Sequence, residues 1–178
     1  APETLKKALA AMKSLTAVRL QGKKVTAACV KHLVKQPYIA NLVELQLGPS
    51  VKASLNDKLL VLAKARSLTH LTMHFEEDSN DTFCSSLVRT LREARGPGTT
   101  PLLTHLTLSD YSGGCCTWRS LHDIGRGLPE LEGLTLGGVV FPDRHVVTQL
   151  QSLWQPLVRL RSLEIRSLLG YDAPHEYL

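Results

Sequence analysis

Aromatic residues are scarce in this chain, with three Phe, two Trp and four Tyr among 178 residues. That scarcity argues against a core built around large aromatic anchors and favours an aliphatic one. Cysteine is also sparse. Cys29, Cys84, Cys115 and Cys116 are too few and too irregular for a disulfide framework, and the one close pair is vicinal. No apolar run reaches the roughly 20 residues that a bilayer-spanning helix needs. The first residues lack the charged start, apolar stretch and small-residue cleavage site of a secretory leader. A reducing, intracellular and cytoplasmic setting is therefore expected. Phosphate-binding loops, dinucleotide fingerprints, zinc-protease motifs and Cys-x-x-Cys pairs are all missing, so neither a cofactor nor a metal is expected.

Leucine is abundant instead, at 33 of 178 residues, and it is ordered. The phrase Leu-x-x-Leu-x-Leu recurs as Leu15-Val18-Leu20, Leu42-Leu45-Leu47, Leu68-Leu71-Met73, Leu103-Leu106-Leu108, Leu131-Leu134-Leu136 and Leu160-Leu163-Ile165. Its starts are separated by 27, 26, 35, 28 and 29 residues. A period in the twenties marks a stack of units, none of which can bury its apolar face alone.

Within each phrase the apolar residues alternate with polar or small ones, as in Leu42-Val43-Glu44-Leu45-Gln46-Leu47. Period-two alternation predicts a short strand with one face inward. Helical spacing follows. Thr26 is placed to cap a helix carrying Cys29, Val30, Leu33 and Val34, ended by Pro37. Ser54 is placed to cap one carrying Leu55, Leu59, Leu62 and Ala63. Phe83-Leu87-Val88-Leu91, Leu121-Ile124-Leu128 and a segment from Asp143 through Val146, Val147, Leu150, Leu153 and Trp154 repeat the pattern. The long third interval is accounted for by a Gly96-Pro97-Gly98 loop flanked by Thr and Pro. Residues 2–12 read as the helix of an earlier repeat, and too little chain follows Ile165 for a full repeat and cap. One domain over 1–178 is expected, as a fragment of a longer chain or with ends covered by partners.

Strand plus helix in about 28 residues is the long, helical class of leucine-rich repeat. The chain resembles the leucine-rich repeat superfamily over almost its full length, specifically the ribonuclease-inhibitor-like and cysteine-containing branches. Val25-Thr26-Ala27-Ala28-Cys29-Val30-Lys31-His32-Leu33-Val34 is similar to the helical half of repeats in F-box and related proteins. The resemblance implies an α/β arc or horseshoe of about six repeats, with a concave parallel sheet, convex helices and protein binding as its role. One departure stands out. The superfamily places Asn or Cys three residues after the last strand leucine, whereas here Lys23, Ser50, Glu76, Tyr111, Val139 and Leu168 occupy those positions.

On this reading the concave surface presents Ala17, Arg19, Gln21, then Glu44, Gln46, Gly48, then His70, Thr72, His74. It continues with His105, Thr107, Ser109, then Gly133, Thr135, Gly137, and ends on Ser162, Glu164 and Arg166. His70 and His105 become neighbours about 4.8 Å apart on adjacent strands. His74 lies roughly 13 Å from His70 by strand rise, so three histidines cannot share a metal, and a plain hydrogen-bonding surface is expected. Gly113-Gly114-Cys115-Cys116-Thr117-Trp118, with His122 and Asp123 after it, superficially matches a nucleophilic cysteine. Catalysis would need that sulfur to meet a histidine oriented by a third group; packing and loop chemistry explain the segment without it.

Charge is uneven. Residues 1–35 carry Lys6, Lys7, Lys13, Arg19, Lys23, Lys24, Lys31 and Lys35 against Glu3 alone, a net of +7 in a chain of net +5. Those lysines form a candidate anion-contacting end. An acidic run of Glu76, Glu77, Asp78 and Asp81 follows later, and Arg89, Arg92 and Arg95 recur on one helix without interleaved aromatics. The expected function is a non-enzymatic protein–protein interaction module with Arg19, Gln21, Glu44, Gln46, His70, Thr72, His74, His105, Thr107, Glu164 and Arg166 as its contact residues. Two alternatives are a substrate-recognition arm of a ubiquitin ligase, and a peripheral subunit of a ribonucleoprotein or other assembly touching RNA through residues 1–35.

Overall fold

A computed structural model describes residues 2–49, 51–74, 81–96, 99–109, 116–141, 156–166 and 168–170. Several sequence expectations lie outside those residues: Glu76, Glu77 and Asp78 of the acidic run, the Pro97-Gly98 centre of the loop, Gly113 to Cys115, the helix from Asp143, and Ser50 and Tyr111 of the consensus positions.

Six strands, one from each leucine phrase, form a single parallel sheet: β1 (Ala17–Leu20), β2 (Glu44–Leu47), β3 (His70–His74), β4 (His105–Ser109), β6 (Gly133–Leu136) and β8 (Ser162–Ile165), in that order. The pairing is in register throughout, so each phrase meets the same position of the next. Val18, Leu45, Leu71, Leu106, Leu134 and Leu163 make one ladder, and Leu20, Leu47, Met73, Leu108, Leu136 and Ile165 a second. From β1 to β6 both ladders are buried, each full leucine contributing roughly 1.5–3 kcal/mol. On the edge strand β8, Leu163 is 44% exposed.

The strand entrances share one device. The carbonyls of Thr16, Val43, Thr69, Thr104 and Glu132 each accept two consecutive amides of the next unit, for example Thr69 and His70 on Val43 at 2.9 and 3.0 Å. Each carbonyl thereby uses both lone pairs, which fixes the register of neighbouring units.

Helices α1 (Pro2–Ala11), α2 (Ala27–Val34), α3 (Leu55–Leu62), α4 (Asp81–Arg95) and α5 (Trp118–Gly127) pack each against the next, in the order of the strands. Their inner faces join the strand leucines in one continuous core. Leu9 of α1 belongs to that core, as expected for the helix of an earlier repeat, and the Tyr38 hydroxyl donates to its carbonyl at 3.2 Å. None of the described helices is long and apolar enough to cross a membrane.

Two helix expectations need correction. Thr26 stands at the N-cap of α2, yet its side chain makes no cap hydrogen bond; its Oγ1 lies 3.7 Å from the Cys29 sulfur. The buried face of α3 is Asp57, Lys58, Val61 and Leu62, while Leu55 and Leu60 are exposed. Ser54 does cap α3, accepting from the Asp57 amide at 3.2 Å while donating to its carboxylate at 2.8 Å. Asp57 and Lys58 face inward, where Lys31 meets the Asp57 carboxylate and Lys58 donates to the His74 carbonyl, one step from the face that leucine spacing suggests.

A second, smaller parallel sheet was not foreseen. It joins β5 (Cys116–Thr117), β7 (Val139–Phe141) and β9 (Leu168–Gly170), and a single bridge between Thr26 and Lys52 makes the equivalent contact nearer the N-terminus. Val139 and Leu168 pair backbone to backbone within it.

Candidate functional site

The alternation that buries the leucines turns the intervening residues to the open face of the six-stranded sheet, in three registered rows. The first runs Ala17, Glu44, His70, His105, Gly133, Ser162, and the second Arg19, Gln46, Thr72, Thr107, Thr135, Glu164. In the third, His74 faces Ser109 across β3 and β4. Gln21 lies beyond β1, and its Cγ sits 3.0 Å from where a Cβ on Gly48 would stand. The eleven expected contact residues lie along this surface, and of the other residues expected on it Gly48, Ser109 and Gly133 are buried.

The two ends of this surface carry charge, and each end neutralises itself. At one end Arg19 Nε donates to Glu44 Oε1 at 2.8 Å, a pairing that raises the arginine's affinity for its proton. At the other, Arg166 Nε donates to Glu164 Oε1 at 3.2 Å, and Thr135 Oγ1 donates to the other oxygen at 3.4 Å. Between them the described face carries no Asp, Glu, Lys or Arg. Gln46, Thr72 and Thr107 hydrogen-bond to none of the described residues.

His70 and His105 stack, ring centroids 4.4 Å apart and planes 4° from parallel. Each Nδ1 is held by the hydroxyl of the preceding residue, Thr69 at 2.8 Å and Thr104 at 3.0 Å. Near-parallel rings aim their in-plane nitrogens side by side rather than at a common point, which does not suit chelation. Among the described residues no three His, Cys, Asp or Glu side chains gather as metal ligands. His74 stands apart from the stack. Its Nδ1 is 2.9 Å from Ser109 Oγ, and burial, with the charges of Arg166 and Lys58, holds its pKa below the usual 6.5.

The cysteine segment is organised for packing. Cys116 is buried with its sulfur 3.6 Å from that of Cys84, and Cys29 is buried as well. His122 instead lines an outer groove of about 860 Å³ between α4 and α5 and faces Asp123, its Nδ1 3.7 Å from the carboxylate. Asp123 also accepts from Ser85 Oγ at 2.5 Å. The same groove holds Arg89, Arg92 and Arg126. Arg95 turns away to donate to the Thr100 carbonyl at 3.0 Å, so the arginine stripe read from sequence is split.

The lysine-rich end is split too. Lys6 pairs with Glu3 at 2.6 Å, and Lys31 with Asp57 at 3.3 Å. Burial pushes the Asp57 carboxyl up, but hydrogen bonds from Ser54 and Lys31 and the lysine's charge outweigh it, and the net shift is downward. Lys7, Lys13, Lys23, Lys24 and Lys35 pair with none of the described residues.

No protein-family model matches the sequence, and no curated protein does. Among solved structures, the chain is similar to an internalin C2 from Listeria monocytogenes str. 4b F2365, with 15% identity and a TM-score of 0.47. That match covers 94% of this chain and 67% of the other.

Proposed function

We propose that the chain is a leucine-rich repeat solenoid of about six repeats, an arc that acts without catalysis by offering its open sheet face to a protein partner. One observation carries this reading. The charged ends of the face are paired as Arg19–Glu44 and Glu164–Arg166, while in the middle Gln46, Thr72 and Thr107 have no partner among the described residues. A surface whose own charges are satisfied loses little on desolvation, and side chains standing on rigid strands lose little entropy on binding. His70, His74, His105 and Gln21 complete the contact set. The buried thiols of Cys29, Cys84 and Cys116 suit a reducing, cytoplasmic compartment.

The test is affinity capture from native extract with the natural chain beside a Thr72→Arg/Thr107→Arg variant, which blocks the centre of the face. Proteins captured by the natural chain and lost from the variant support the proposal. Identical capture by both would sink it. Ligase adaptor components in the lost set would place the chain in a ubiquitin ligase.

A second reading rests on Lys7, Lys13, Lys23, Lys24 and Lys35, whose charges no described carboxylate offsets. An RNA contact there would weaken linearly in log affinity against log salt, with a slope of roughly −0.7 per phosphate contacted on a single strand. A salt-independent capture profile excludes it.

A further inference from the structure

We infer that His70 and His105 form a fixed pair of hydrogen-bond donors that receives an acidic side chain of the protein partner. This deepens the open-face reading and depends on it.

The argument turns on where the hydroxyl protons of Thr69 and Thr104 go. Each hydroxyl has two acceptors in reach: the Nδ1 of the following histidine, and a backbone carbonyl. Thr69 Oγ1 lies 2.8 Å from His70 Nδ1 and 3.3 Å from the Val43 carbonyl. Thr104 Oγ1 lies 3.0 Å from His105 Nδ1 and 3.2 Å from the Thr69 carbonyl. Both carbonyls already accept two amides at 2.9 to 3.0 Å and have no lone pair left. The nitrogen is the closer and the unsatisfied acceptor, so the hydroxyl donates to Nδ1. A neutral ring with Nδ1 accepting must carry its proton on Nε2.

Acid does not undo this. When a ring gains its second proton, Nδ1–H donates to the threonine oxygen, and the hydroxyl turns its own proton to water. Nε2–H remains a donor in both charge states, and only its strength changes. The threonines thus remove the tautomeric choice that a free histidine would have.

Stacking sets the spacing. The rings occupy equivalent register positions and lie nearly parallel, so the two Nε2–H groups stand side by side at close to the 4.4 Å ring separation. Carbonyls on one side of an extended strand recur at roughly 6.8 Å, too far apart to serve both donors. A carboxylate offers two oxygens on one carbon, each within reach of one N–H, and its charge strengthens both bonds. The charged and titratable neighbours on the face are Arg19 and Glu44, already paired, Glu164 and Arg166, also paired, and His74. No unpaired carboxylate among the described residues of that face competes for the site.

Two experiments test it. In the first, long-range ¹H–¹⁵N correlation NMR is recorded at about pH 8.5, where imidazole is neutral. Both rings are expected as the Nε2–H tautomer; an Nδ1–H tautomer at either position overturns the inference. In the second, a displayed random-peptide library is selected on the natural chain, on His70→Phe/His105→Phe, which keeps two stackable rings without donors, and on Thr72→Arg/Thr107→Arg. Circular dichroism confirms that both variants fold. Enriched peptides are expected to share an Asp or Glu, and to bind the phenylalanine variant about tenfold or more weaker, as for bonds to a charged group. Their affinity for the natural chain should persist at about pH 8.5. Peptides lost from the arginine variant but lacking an acid, or unaffected by the phenylalanine changes, leave the open-face reading standing and overturn this one. Peptides that bind all three proteins alike overturn both.

Discussion

The imidazole of His105 occupies the space above Gly133, where an added Cβ would come within 2.6 Å of its Cδ2. Glycine at this point of β6 is therefore a condition for the His70–His105 stack, since any side chain would push the outer ring away. Gly133→Ala should leave global stability within about 0.5 kcal/mol, because the displaced ring is exposed and can move. The stack should be lost. Disappearance of the mutual ring-current shifts of the two histidines in NMR, with an unchanged urea midpoint, is the expected result.

Gly127 of α5 plays the harder version of that role. A Cβ there would stand 2.0 Å from Val88 Cγ1 and 3.3 Å from Val88 Cβ, inside the buried α4–α5 contact. Gly127→Ala, at the last residue of α5, gains less than the ~1 kcal/mol of helix propensity of an interior site but must force the helices apart, at an overpacking cost of typically ~1–3 kcal/mol. A net loss of stability is expected. Adding Val88→Ala removes the obstructing methyls, so the double variant should be more stable than the sum of the single losses. Chemical denaturation of all four proteins measures that coupling; strict additivity would show that the clash is relieved elsewhere.

Much of this architecture was legible because leucine spacing and strand pairing report the same geometry. The six phrases gave the six strands in order, and alternation sent Arg19, Glu44, Gln46, His70, Thr72, His105, Thr107, Glu164 and Arg166 to one face. What sequence spacing concealed was decided by local hydrogen bonds. On α3 the Asp57 carboxylate faces Lys31 and Lys58 reaches the His74 carbonyl, so these two residues lie inward and Leu55 and Leu60 outward, against simple hydropathy. The small sheet was missed because Val139 was compared with a consensus Asn and found lacking. Val139-Val140-Phe141, a β-branched and aromatic run, was the available signal for a strand. The repeat pattern already made His70 and His105 neighbours, but the stacking of their rings and the threonine hydroxyls that hold them depend on side-chain geometry that spacing does not encode.

The environment of His74 makes stability depend on pH. Burial first, then the charges of Arg166 and Lys58, lower its pKa from 6.5 in the folded chain. The unfolded chain therefore takes up the proton first as pH falls. Stability from this group is full above the unfolded value and declines below it, until the folded ring is also protonated. Urea unfolding at about pH 7.5 and pH 5.5 should show a larger loss for the natural chain than for His74→Asn, which cannot titrate. Equal losses would mean that other groups carry the whole dependence.

Ser54 and Thr26 hold equivalent sequence positions before α3 and α2, yet only one of them caps. Ser54 Oγ accepts from the Asp57 amide at 3.2 Å and donates to the Asp57 carboxylate, which in turn faces Lys31 of α2 at 3.3 Å. Thr26 contributes no such bond, and the Cys29 and Val30 amides are taken up by its backbone carbonyl instead, at 2.9 and 3.3 Å. Ser54→Ala should therefore cost about 1 kcal/mol, the usual value for a lost side-chain cap. Thr26→Ala keeps the carbonyl that does the work at its helix, so it should cost no more than about 0.5 kcal/mol. Thermal denaturation of the two variants in parallel checks the difference. Equal losses would show that Thr26 supports its helix through packing against Cys29.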